Sequence, residues 1–180
     1  MMATARSPAA PDLDRWLPAP GLRVAHRRPS DASPDELWAA ARAVRLSDTA
    51  TLGRLIRWRI PGSRRDAHFD ELFREPPFLV LEEGGRTLVS GLVGQIWTIR
   101  RDYPELSHPD EFLAWEQPGT ARVLFANWVA PGSLHSEVRV QTFGRQGRLG
   151  LAAIRPLVTA FGGLVGSEGI DAAIRRAQAR

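Results

Sequence analysis

Two apolar runs, Phe78-Leu79-Val80-Leu81-Glu82 and Arg86 through Trp97, lie on either side of Glu83-Gly84-Gly85. A chain that opens its sheet this way is committed to antiparallel pairing, because so short a link cannot carry the chain over a sheet face to a parallel neighbour. The glycines suit the turn by tolerating positive φ. Gly91 and Gly94 fall inside the second run. With no side chain to pack, each marks either a bend or a place where another group comes close. The bend is the expectation, since sheets that curl around a core use glycine in this way.

A second hairpin follows, with Ala121–Val129 and Leu134–Phe143 joined at Pro131-Gly132-Ser133. In its last arm Glu137, Arg139 and Gln141 alternate with Val138 and Val140, which predicts one wet face and one packed face. An earlier alternating run, Leu22 to His26, reads as a first strand. Ser33-Pro34-Asp35-Glu36 is a capping box with proline at the first helical position. It starts a helix that runs to about Val44, with Leu37, Trp38, Ala41 and Val44 as its buried stripe. A second helix is expected from Ser47 or Asp48, turning Leu52, Leu55, Ile56 and Ile60 inward before Pro61-Gly62. Arg100 to Gly119 is a connection with a short helix in it. From about Gln146 the pattern is helical through Phe161, breaks or kinks at Gly162–Gly163, and resumes from Ser167 to near Ala179. Strand, two helices, antiparallel strands and terminal helix make an α+β chain, with no βαβ alternation. Residues 21–180 read as one domain. Residues 1–20 read as a flexible lead-in, with Trp16 a surface anchor or disordered.

Composition narrows the chemistry. The 180 residues are enough to bury a core without staples. Cysteine is absent, which excludes disulfides and thiolate-bound metal. The four histidines, His26, His68, His108 and His135, are too scattered for a helical ligand pair, so neither a metal nor a cofactor is expected. The pI near 11.0 suggests nucleic acid, but all 24 basic residues are arginine and the net charge is only +4. Arginine does not titrate in the accessible range, so a small excess drives the pI high. Nucleic acid is therefore not an expected partner, and the missing lysine fits a GC-rich, bacterial coding bias. Met1 to Pro20 lacks the apolar run of a signal peptide. Leu149 to Gly166 is too short and too broken to span a bilayer. The expectation is a cytoplasmic protein without membrane insertion.

Several segments together carry a family likeness. They are Ser33-Pro34-Asp35-Glu36-Leu37-Trp38 on the first helix and Arg57-Trp58-Arg59-Ile60-Pro61 closing the second. The hairpin ending Gly91-Leu92-Val93-Gly94-Gln95-Ile96-Trp97 and the strand segment Glu137-Val138-Arg139-Val140 before the terminal helix complete the set. In this order they resemble the START-like superfamily (SRPBCC), which includes polyketide cyclases and lipid-transport proteins. The resemblance implies a helix-grip fold: a curved antiparallel sheet wrapped around a long C-terminal helix, with a hydrophobic cavity between them. It also implies binding of a lipid-, polyketide- or isoprenoid-like molecule, or else a cyclase or dehydratase acting on a polyketide-like substrate in the same cavity. Pro156, Gly162, Gly163, Gly166 and Gly169 depart from it by interrupting the terminal helix.

On that reading, Trp58, Trp97, Phe125 and Phe161 are candidate apolar walls for a ligand. Tyr103, the sole tyrosine, precedes Pro104 and is a candidate cap over an opening. By alternation Gln95 shares a face with Val93 and Trp97, and Asn127 shares one with Phe125 and Val129. Both are candidate polar contacts, and ordinary packing competes for every one of these residues. Tyr103, Gln95 and Asn127 are the nominees for an enzymatic version. His135, beside a turn, reads as exposed, and no nucleophile–base pair emerges from spacing.

Overall fold

The computed structural model describes residues 10–48, 66–98, 100, 103–164 and 170–178. Its five strands are β1 (Leu22–Pro29), β2 (Leu79–Gly84), β3 (Thr87–Gly94), β4 (Ala121–Ala130) and β5 (Ser133–Thr142). They form one open antiparallel sheet in the order β1-β5-β4-β3-β2. Both expected hairpins are present. The second closes on Pro131-Gly132, with Gly132 at φ +70°, a conformation that glycine adopts without steric penalty. At the first, neither Gly84 nor Gly85 takes positive φ, so glycine is not required there for that reason.

The helices are α1 (Leu13–Trp16), α2 (Pro34–Arg42), α3 (Phe69–Leu72), α4 (Pro109–Ala114), α5 (Gly144–Leu164) and α6 (Ile170–Gln178), with a 3₁₀ turn at Leu46–Asp48. The capping box on α2 is complete: Ser33 accepts from the Glu36 amide, and the Glu36 carboxylate accepts from the Ser33 amide. Leu37, Trp38 and Val44 are buried as the stripe requires. The expected second helix begins where the 3₁₀ turn stands, and its remainder, Trp58 included, lies outside the described residues.

Both faces of the sheet are covered. On the inner face, Leu22, Leu88, Leu92, Val123, Phe125, Val129, Leu134, Val138 and Val140 pack with Leu37 and Trp38 of α2, Leu151 of α5 and Ala172 and Ala173 of α6. Phe73, Phe78 and Phe125 meet there with ring centroids 5.1 to 5.4 Å apart. On the outer face Val89, Val93, Leu124 and Ala126 pack against Leu13, Trp16, Leu17 and Phe112.

That outer cover corrects three expectations. Residues 10–20 of the lead-in are not loose, for Trp16 is 3% exposed and Leu17 fully buried. Trp16 also donates from Nε1 to the Glu82 carboxylate. The face of β5 expected to be wet is covered over most of its length: Glu137 is 3% exposed and Arg139 7%, while Gln141 is half-buried. Finally, Gly91 is a close-approach glycine, because a Cβ there would lie 2.6 Å from the Phe112 ring. The bend is not its main reason for being glycine.

In the C-terminal cover the first helix runs further than expected. Gly162 and Gly163 are helical positions of α5, as is Pro156, so the helix does not break at the two glycines. A second helical piece does follow, from Ile170. α5 lies over β1 and β5, while α6 packs on α2.

Candidate functional site

The inner face is largely apolar, and three of its polar side chains form a line across the sheet. Cross-strand register puts His26 of β1 opposite Ser136 of β5, and Ser136 opposite Asn127 of β4. Directly opposed side chains have Cβ atoms about 4.5–5.5 Å apart, so an imidazole, a hydroxyl and a carboxamide stand in a row. Ser136 is buried, and His26 and Asn127 are half-buried, with the His26 Nε2 atom itself enclosed. The neighbours of Asn127 on the same strand face, Phe125 and Val129, are both buried. Asn127 is thus less buried than the two hydrophobes that flank it on this face. Ser90 adds a fourth polar group on this face, fully buried, its hydroxyl without a hydrogen-bond partner.

The nominated residues separate. Asn127 and Phe125 share the inner face as alternation predicts, but Phe125 is held between the rings of Phe73 and Phe78. Trp97 is half-buried on the flank of α5, lying so tightly against Gly150 that no Cβ fits there. Tyr103 is half-buried at the margin of the same core. Gln95 is exposed, because β3 ends at Gly94 with φ 133° and the alternation stops before reaching it. Phe161 is a backbone position of α5 whose side chain lies outside the described residues, as does all of Trp58. His26 and Ser136 were not among the nominees. The signal for Ser136 was available, since the alternation that packs Leu134 and Val138 also places Ser136 with them.

Among the described residues a serine–histidine contact also occurs on the outer face, where Ser133 Oγ lies 2.9 Å from His135 Nε2. His135 is half-buried, not exposed as expected, and stacks on Trp128 at 4.9 Å. Burial, with the nearby Arg27 charge, holds its pKa below the ordinary imidazole value, so it is neutral at pH 7. Ser133 is 1% exposed, which leaves no approach for a substrate. The pair is structural.

Two charged constructions on the outer face are likewise architectural. Glu137 accepts from Arg23 Nε at 2.7 Å and Arg139 Nε at 2.6 Å, and Arg139 also reaches Asp14 and the Leu17 carbonyl. Arg122 donates to the Phe112 and Leu113 carbonyls at the end of α4 and to Gln141 Oε1. Burial pushes the Arg122 pKa down, against a smaller opposing pull from Glu116, yet a guanidinium stays charged. Among the described residues no group of three metal-ligating side chains occurs, and no helix is long and apolar enough to cross a membrane. Two surface hollows of about 370 and 360 Å³ are lined by described residues, and neither includes a nominated residue.

Compared with known protein families, with curated proteins and with solved structures, the chain matches none.

Proposed function

We propose that this protein binds a hydrophobic small molecule, lipid-, polyketide- or isoprenoid-like, between the inner face of the sheet and its helical cover. This is the arrangement of a helix-grip domain of the START-like kind. The observation that carries the reading is the polar row His26–Ser136–Asn127, half-buried at Asn127, set in a largely apolar face. Ligand sites of this class are mostly apolar with a few convergent polar groups that fix orientation. A core with no ligand to orient gains nothing from a line of three polar residues across it, since each needs its own hydrogen bonds once desolvated.

Native mass spectrometry of freshly purified protein, followed by extraction, tests this. The expected result is a retained apolar compound, with retention reduced in Asn127→Leu while thermal stability is kept. A chain that emerges empty and shows no saturable binding of a fatty acid or polyketide panel would remove the reading. The cyclase or dehydratase alternative draws on the same row, because it places the His26 imidazole beside a hydroxyl. It requires turnover of a polyketide-like substrate with loss of water, and loss of that turnover in His26→Gln.

A further inference from the structure

A hollow of about 360 Å³ opens where the end of β5 meets the chain entering β1 and the middle of α5. That volume is within the range of small-ligand sites, roughly 300–1,000 Å³. Each of its polar side chains carries a hydrogen-bond donor. Arg148 and Arg155 lie seven residues apart on α5 and therefore on one side of the helix, about two turns apart. Leu151 and Ala152 form an apolar wall between them. Gln141 and Thr142, the last two residues of β5, complete the rim.

The amide of Gln141 is oriented. Its Oε1 accepts from Arg122 Nη2 at 3.0 Å. A guanidinium only donates, so the oxygen must face Arg122, and the Nε2 hydrogens are left to donate elsewhere. No carboxylate lines the hollow. Among the described residues Arg148 and Arg155 make no ion pair with a carboxylate. The 21 residues of α5 contain three arginines and no acid. The other hollow differs in this respect, because its Arg42 is already held by Asp70 at 3.2 Å.

The geometry points to a site for a small organic anion. Its carboxylate or phosphate head is held by Arg148, Arg155, the Gln141 amide and the Thr142 hydroxyl, and a short apolar tail lies on Leu151 and Ala152. Guanidinium pairs recognise such heads through charge-assisted hydrogen bonds. This site includes none of the His26–Ser136–Asn127 row and stands independently of the function proposed above.

The same head chemistry is presented by a soluble organophosphate and by a bilayer phospholipid, and Leu149, 62% exposed on α5, gives the second source a foothold. Hexyl phosphate titrated into the ¹⁵N-labelled full chain tests the site directly. Saturable shifts are expected at the Gln141 side-chain amide and at the Arg148 and Arg155 Nε–H groups. Affinity should fall about tenfold in Arg148→Gln and in Arg155→Gln, as loss of one charge-assisted contact implies. Both arginines are exposed, so either change should leave the thermal transition in place. Sedimentation with phosphatidylcholine vesicles, with and without phosphatidylglycerol, separates the sources. Pelleting only with anionic vesicles, reversed by hexyl phosphate, assigns the head to lipid. Hexyl phosphate binding without pelleting assigns it to a soluble anion. Shifts that fail to saturate, or that persist undiminished when both arginines are replaced, overturn the site.

Discussion

Glu137 sits under the N-terminal segment and still carries its charge at neutral pH. Burial on its own would raise its pKa, but the hydrogen bonds from Arg23 and Arg139, with the charges behind them, hold it below the ordinary value of 4.5. A carboxyl whose folded pKa is depressed contributes stability that is complete above its unfolded pKa and is lost as pH falls through the folded one. Chemical denaturation should therefore show stability falling below about pH 4.5. Glu137→Gln should lose about 3 kcal/mol at pH 7, because Arg139 keeps its burial and loses a charged partner. The variant should also show a shallower acid dependence than the parent. If the two pH profiles run parallel, the carboxylate is not what ties this cluster. The sequence did not disclose the cluster because Glu137, Arg139 and Gln141 alternate as any solvated strand face does. What covers them comes from residues 114 and more positions away, as the Arg23–Glu137 and Arg139–Leu17 contacts show.

At the scale of elements, the outer face depends on two short pieces, α1 and α4. Trp16 anchors the first, and Trp16→Ala should cost about 3 kcal/mol in urea denaturation, the usual order for a buried aromatic truncated to alanine. A loss near zero would mean that residues 10–20 can leave the sheet freely. Phe112 anchors the second, and its ring occupies the space over Gly91. Gly91→Ala should cost about 2 kcal/mol through forced repacking, measured by the same method. The change would be silent if Gly91 were only a bend. What was legible here is what is local. The capping box of α2 and both hairpins depend on residues a few positions apart, and they form as read. Gln95 was misplaced because alternation was extended through Gly94, whose φ of 133° ends the strand. The row His26–Ser136–Asn127 takes one residue from each of three strands, and register must be known before it exists.

At the scale of the molecule, α+β order with an antiparallel sheet and a helix after it follows from the sequence, while the covering of both sheet faces does not. The edges are also managed. β1 carries Arg23, Arg27 and Arg28, and β2 is six residues long with a register shift between Val80 and Glu82. Charged and irregular edges resist pairing with another chain. A chain cut after Ala130 lacks β5 and both C-terminal helices, so β1 has no neighbour. It should show no cooperative thermal transition by circular dichroism. A sigmoidal transition would mean that β2, β3 and β4 fold without the rest.

The placement of β1 beside β5 also bears on how the protein is made. Among the described strands β1 pairs with β5 alone, which is synthesised about a hundred residues later. Until then its arginines, the half-finished inner face and the line through His26 stand open in a nascent chain. Long-range pairing of this kind forms late and slowly, so β1 stays without its sheet partner until β5 has been synthesised.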